Sequence, residues 1–350
     1  VKKVRMASVI GLTMVLGIGL AQKASVSGEI NLMAYAGIFQ DNYIETVVKP
    51  FMQRYPDVKV NYIAAQNSAA MLAQLRAQKG KPQVDIAIMD ISVAKTGTSE
   101  DLFAELDPRI VTNLKDLYPE ALTPEVYGPA VTFDHLALIY NPDLVKPAPT
   151  SWLDLWNVKY KGQVVVPAPP DIQGLALTIL INKIMGADYK KTIDPAVAKL
   201  KELASLVQTY EPKPDQYTLV INGTASMAVS WNARSQLYSD LSKGKLRVVL
   251  PKEGTVFQIN TINLVKGSKN NEAAQLFINY ALSPVAQKAF TERMFYAPVN
   301  KKALISTQAL LRTAAAPKYR EKVVPVDWFY IATVRDQWLE RWRREIITVR

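Results

Sequence analysis

The sequence predicts an α/β chain of two units, each a largely parallel sheet with helices packed on its faces. Three observations predict it. Strand-like and helix-like segments alternate in β-α-β-α-β order at the start of the chain, and the alternation returns in its middle. Some of the strands are continuously apolar, as strands covered on both faces are. With 350 residues, 49% hydrophobic and 21% charged, the chain has the length for two domains and the apolar content for large cores.

The elements follow in order. "EINLMAYAG" (29–37) is a strand closing on Gly37, and Ile44, Val47, Val48 and Phe51 then recur at helical spacing over Gln40–Tyr55. "VKVNYIAA" (58–65) alternates as a second strand. Asn67 and Ser68 are N-cap types ahead of a helix over Ala69–Gln78. "VDIAIMD" (84–90) is the third strand. Farther on, "GQVVVPAPP" (162–170) reads as a strand and a Pro-rich loop, and Asp171–Gly174 lead into an apolar helix. "SMAVSWNAR" (226–234), "KLRVVLPKEG" (245–254) and "FQINTINLV" (257–265) supply further strands. "NEAAQLFINYALSP" (271–284) is an amphipathic helix stopped by Ser283-Pro284.

Sheets of this kind bind ligands beyond the carboxyl ends of their strands, beside helix N-termini. The exits Tyr35-Ala36-Gly37, Gln66-Asn67-Ser68 and Asp90-Ile91-Ser92 therefore nominate Tyr35, Ala36, Asn67 and Asp90, with ordinary turns as the competing reading. In "MAVSWNARSQ" (227–236) an apolar strand ends in an indole, an amide and a guanidinium, which nominates Trp231, Asn232 and Arg234.

Much chemistry is excluded by count. One histidine, His135, and no cysteine leave no His/Cys zinc site. No Gly-x-Ser-x-Gly elbow, phosphate-cradling Gly-rich loop or Gly-x-Gly-x-x-Gly occurs, so an enzyme would have to act through unmarked carboxylates. The net charge of +11 is scattered along the chain rather than clustered beside aromatics, which argues against nucleic acid. At the N-terminus, "VKKVR", the apolar run Met6–Leu20 and Gly19-Leu20-Ala21 have the three-part plan of a secretory signal over residues 1–21. The apolar run is short for a membrane span, the alternative reading, and there is no Cys for a lipid anchor. The expected compartment is the periplasm, and without disulfides the core alone must hold the fold.

"TSWLDLWNVKYKG" (150–162), "MAVSWN" (227–232), "LPKEGTVFQINTINLV" (250–265) and "APVN" (297–300), with Asn141 and the 271–284 helix, resemble the periplasmic solute-binding proteins of ABC transporters, specifically the spermidine/putrescine-binding type. The likeness runs from about Ile30 to about Ala303. It implies a two-lobed periplasmic-binding-protein fold (type II), each lobe a sheet flanked by helices, with two crossover strands as hinge. Lobe one would be 29–131 plus 253–300, and lobe two 132–252 plus 301–350. It also implies a ligand in the cleft, a membrane permease as partner, a monomer, and neither cofactor nor metal. The tryptophan at the Trp231 position lies against the ligand in polyamine binders, a contact of roughly 0.5–2 kcal/mol for a cation on indole. Phe133 matches another ring of the family, and Asp171 a carboxylate that receives an amine.

The departures from that pattern bear on the ligand. Gln258 replaces an aromatic and Asn260 an aspartate, and Arg234 stands where small uncharged residues are usual. Anchoring a diamine needs a carboxylate for each ammonium, so Asp134 becomes a candidate replacement. The expectation is a small amine-containing solute, polyamine-like or amino-acid-derived, with a zwitterion such as an ω-amino acid favoured over spermidine. A small anionic solute, ferric iron and an exported enzyme are the alternatives, and a structural envelope protein is a weaker one. Iron sites in neighbouring families use adjacent tyrosines, and no Tyr-Tyr pair occurs here. Mass spectrometry of protein from an exporting host should show a mature chain starting close to Gln22; an intact N-terminus in the membrane fraction would refute processing.

Overall fold

Strands β1 (Gly28–Tyr35), β2 (Val58–Ala65) and β3 (Ile86–Asp90) pair in parallel, with β1 between the other two. They belong to a computed structural model that describes residues 26–349; the expected signal at 1–21 lies outside the described residues. Helical segments Ile38–Tyr43, Ile44–Val48 and Lys49–Arg54 run on from one another after β1, the middle one as a π-turn. Pro50 has no N–H to return to Thr46, and the helix widens just before it.

Eight more strands extend the sheet: β4 (Phe103–Ala104), β5 (Ala130–Tyr140), β6 (Val164–Val165), β7 (Val207–Thr209), β8 (Met227–Trp231), β9 (Arg247–Val249), β10 (Thr255–Val265) and β11 (Val323–Val324). The main path runs β2-β1-β3-β10-β5-β8-β6-β7. Two long strands join its halves. β10 lies antiparallel to β3 through Asn260↔Asp90 to Leu264↔Ile86, and to the first half of β5. The second half of β5 pairs with β8 and β9. Hydrogen bonding is thus continuous across the two crossings. The expected strand in "GQVVVPAPP" shrinks to Val164–Val165, because Pro167, Pro169 and Pro170 cannot donate to a ladder. The chain ends in a helix over Trp328–Arg341, whose Trp328 indole donates to the Phe257 carbonyl at 3.0 Å.

The crossing strands set which side chains face the cleft. Opposed residues of an antiparallel pair share a face, and neighbours along a strand do not. The register Gln258↔Asp134 and Asn260↔Thr132 therefore puts Thr132, Asp134, Gln258 and Asn260 on one face, and Phe133, Phe257 and Ile259 on the other.

Asp134 and His135 are fully buried at this crossing. Asp134 accepts the Ala233 N–H with both oxygens, at 3.1 and 3.2 Å, yet burial still pushes its carboxyl up to about 8. His135 packs on the Tyr319 ring at 4.3 Å, and burial pushes its imidazole down to about 4. Between the ordinary carboxyl value of 3.8 and about 8, folded Asp134 holds a proton that the unfolded chain has released, so its contribution to stability falls as pH rises. Buried Asp90, pushed up to about 6, acts in the same sense over a narrower range. His135 acts oppositely between about 4 and its ordinary 6.5, where only the unfolded chain is protonated. From pH 6.5 to 8 the Asp134 effect stands alone among these three. Urea unfolding should show stability dropping by up to about 2 kcal/mol across that window, with the drop largely abolished in Asp134→Asn.

Candidate functional site

Four helices begin where the strands of both halves end, and each N-terminus meets an oxygen. An unpaired helix N-terminus leaves backbone N–H groups without acceptors. Asn67 Oδ1 accepts from Ala70 N–H at 2.9 Å and caps Ser68–Ala77. Asp90 Oδ1 caps Ile91–Ser99, accepting from Ser92 N–H at 2.9 Å and from Ser92 Oγ at 2.6 Å. Asp171 Oδ1 accepts from Gln173 N–H at 2.8 Å at the head of Ile172–Ile184. Asp134 serves the first turn of Asn232–Leu241 through Ala233. The three nominated carboxylates are thus all engaged by helix starts.

The strand ends enclose a cavity of about 50 Å³. Tyr35, Ser68, Gln258, Asn260 and Tyr296 face it from one side; Asp171, Gln173, Trp231 and Arg234 face it from the other. It opens onto an outer cavity of about 550 Å³, with Asn67, Asp171 and Arg234 lining both. One wall is a closed polar network. Tyr35 Oη donates to Asn260 Oδ1 at 2.8 Å and lies 2.8 Å from Ser68 Oγ, which accepts from Asp90 N–H at 3.0 Å. Asn260 Nδ2 in turn donates to Thr132 Oγ1 at 3.0 Å.

Arg234 reaches across the cavity. Its guanidinium carbon sits 5.5 Å from the centre of the Tyr35 ring, a cation–π contact between the halves. It also interacts with the Tyr296 hydroxyl, which burial pushes up to about 12. The Arg234 Nε is buried and makes no hydrogen bond. Asp171 is the one nominated carboxylate that lines the cavity; burial pushes it up, against Gln173 N–H and the charge of Arg234.

Of the residues nominated from sequence, the structure brings Tyr35, Asn67, Asp171, Trp231, Arg234, Gln258 and Asn260 together around the inner cavity, and Ala36 onto the outer one. Asp90, Asp134 and Asn232 lie behind the wall without solvent exposure. Asn232 donates to the Arg312 carbonyl at 2.9 Å and accepts from Gln236 at 3.0 Å. Phe133 lies on the opposite face of its strand, its ring centre 5.3 Å from that of Phe257, beside a separate cavity of about 740 Å³. Sequence reasoning did not nominate Gln173 or Tyr296, and it named Gln66 and Ser68 only as members of the Asn67 strand exit. Ser68 and Gln173 stand within two residues of nominated caps; Tyr296 carries no local signal beyond its place before "APVN".

Known proteins resemble this chain in sequence and in fold. The chain is 28% identical over 254 residues to the gamma-aminobutyric acid-binding protein of Pseudomonas aeruginosa, covering 70% of this chain and 68% of that one. It is 25% identical over 269 residues to the spermidine/putrescine-binding periplasmic protein of Escherichia coli, covering 74% and 76%. A crystal structure of an ABC transporter from Clostridium perfringens superposes with a TM-score of 0.71 at 27% identity, over 91% of this chain and 99% of that one. Among the described residues no helix is long and apolar enough to cross a membrane. The family described as bacterial extracellular solute-binding protein matches residues 46–317, and this chain belongs to that family.

Proposed function

We propose that the protein is a non-catalytic periplasmic receptor that captures a small zwitterion, such as an ω-amino acid, and delivers it to the membrane permease of an ABC importer. The observation that carries the reading is the pair of opposite charges on the cavity wall: Arg234, with a buried and unpartnered Nε, and Asp171, partly exposed at the head of its helix. A carboxylate on Arg234 forms a charge-assisted hydrogen bond, and an ammonium sits against Asp171 with Trp231 as its apolar floor. The gamma-aminobutyrate named for the Pseudomonas relative has this chemistry. A long polycation fits less well, because Asp134 and Asp90 are capping helices and Asn260 is bonded on both sides. The second reading is a small anion held by Arg234 alone, which the same unpartnered Nε favours.

Each half contributes to the cavity wall, so a ligand makes its full set of contacts only when the lobes are closed, and binding shifts the open–closed population. The protein works as a monomer, without nucleic acid, metal or cofactor, and returns its ligand unchanged.

Calorimetry and thermal shift against γ-aminobutyrate, putrescine, spermidine and a dicarboxylate test the reading. At about a hundred times its dissociation constant, γ-aminobutyrate should add roughly 2.7 kcal/mol of stability. Tight spermidine binding with no response to any amino acid would sink it. Replacing Arg234 with Gln should weaken γ-aminobutyrate by about 1.5–3 kcal/mol, the range for a hydrogen bond to a charged group, while leaving putrescine level or tighter. Loss of both alike would point to a collapsed site. Truncating Trp231 to Ala should weaken the bound solute by about 1–3 kcal/mol with the fold retained. Unfolding without a selective loss of affinity would instead make Trp231 a core residue.

A further inference from the structure

The C-terminal helix Trp328–Arg341 packs against Ile91–Ser99, the helix that Asp90 caps. It is also tied to the second half of the molecule: Lys190–Asp327 at 2.5 Å, Arg341–Asp194 at 2.7 Å, and the Trp342 indole, just beyond the helix, donating to Thr178 Oγ1 at 2.8 Å. Arg335 sits between these attachments. Its guanidinium donates to the carbonyl of Pro170 at 2.9 Å, next in the chain to Asp171, and stands within electrostatic reach of both Asp90 and Asp171.

We propose that Arg335 is a specificity-determining residue which, from outside the cavity lining, offsets the charge of Asp171 and fixes its loop, so that the cleft disfavours doubly cationic solutes. This deepens the zwitterion reading and rests on it. The charges facing Asp171 are Arg234 from inside and Arg335 from behind. Glu211, Lys213 and Asp215 share the outer cavity, the first two exposed to solvent that screens them. Arg335 also faces Asp90 and its chain neighbour Asp336, so it offsets only part of the charge of Asp171. Removing Arg335 takes one positive charge from behind Asp171, and an ammonium at the wall then meets a stronger negative field.

The test compares Arg335→Gln, Arg335→Met and Arg335→Lys with the wild type, using putrescine and γ-aminobutyrate as probes. Neutral substitution should shift the putrescine-to-γ-aminobutyrate affinity ratio toward putrescine by about three- to tenfold, the size expected of one partly screened charge. Lys should restore the wild-type ratio although it lacks the guanidinium fork. A ratio unmoved in both neutral variants, or moved equally in Lys, overturns the proposal in favour of a purely structural role. If the wild type binds neither probe, the zwitterion reading fails separately. Arg335 is then judged without ligand, by carboxyl NMR titration of Asp171. Its midpoint should rise when Arg335 is neutralised, and an unchanged midpoint overturns the proposal. Should Gln fail to fold, Met supplies the neutral side chain with similar apolar packing.

Discussion

The site depends on one constraint: four helices start at the same place, and their first N–H groups need acceptors. Asn67, Asp90, Asp171 and Asp134 meet that need. A buried donor left without a partner costs on the order of 1–3 kcal/mol, so the oxygen with which each of these residues meets its helix is not freely available to a ligand. The consequence is chemical. A cleft that looks rich in carboxylates on paper presents only one of them, Asp171, at its inner wall. The cation opposite it, Arg234, keeps its Nε unbonded.

The same constraint explains the polar network on the first half's wall. Ser68 opens a helix, and its hydroxyl receives the Asp90 N–H and meets Tyr35 Oη. Asn260 then bridges Tyr35 to Thr132 on the neighbouring crossing strand. A network in which each member is satisfied is rigid and specific. Asn260 is therefore a structural joint between β1, β5 and β10, and the first half presents hydroxyls and amides to the cavity.

Much of this was legible in the sequence, for reasons that can be stated. Parallel strands send their carboxyl ends to one edge, so reading Tyr35 and Asn67 as neighbours needed only the β-α-β order, whereas setting the Trp231–Arg234 exit of the other half against them rested on the resemblance to two-lobed solute-binding proteins. What period-2 alternation forbids was harder to see. Phe133 and Asp134 are adjacent on one strand and cannot both face the cleft; Asp134 takes the cleft-side face but is covered by Ala233, and Phe133 turns away. Ala130–Tyr140 is buried almost throughout and shows no alternation, so its faces become legible only once Gln258 is seen opposite Asp134. Asn232 belongs to the same class, since its amide is drawn inward by the Arg312 carbonyl, 80 residues away. Tyr296 reaches the cavity, and Arg335 the Pro170 carbonyl beside it, from segments whose local pattern concerns their own helix or turn. Such contacts are products of tertiary packing and leave no short-range mark.

The buried Arg234 Nε lies where the two halves meet. Arg234 belongs to the helix that begins beside Asp134, and it lies over the Tyr35 ring of the other half. Separation of the halves would expose the guanidinium to water, which satisfies its donors at little cost. In the arrangement described, Nε is buried and short of an acceptor. On the proposed function, an anionic group in the cavity would supply that acceptor only with the halves together, so the free energy of that one bond would be available to closure and not to the open form. Differential interaction of this kind is what a ligand needs to shift a conformational equilibrium. A solute without an acceptor for Arg234 would contact Trp231 and still leave the donor unpaired, and its binding would favour closure less. On that reading selectivity and closure would be two expressions of one unfilled hydrogen bond.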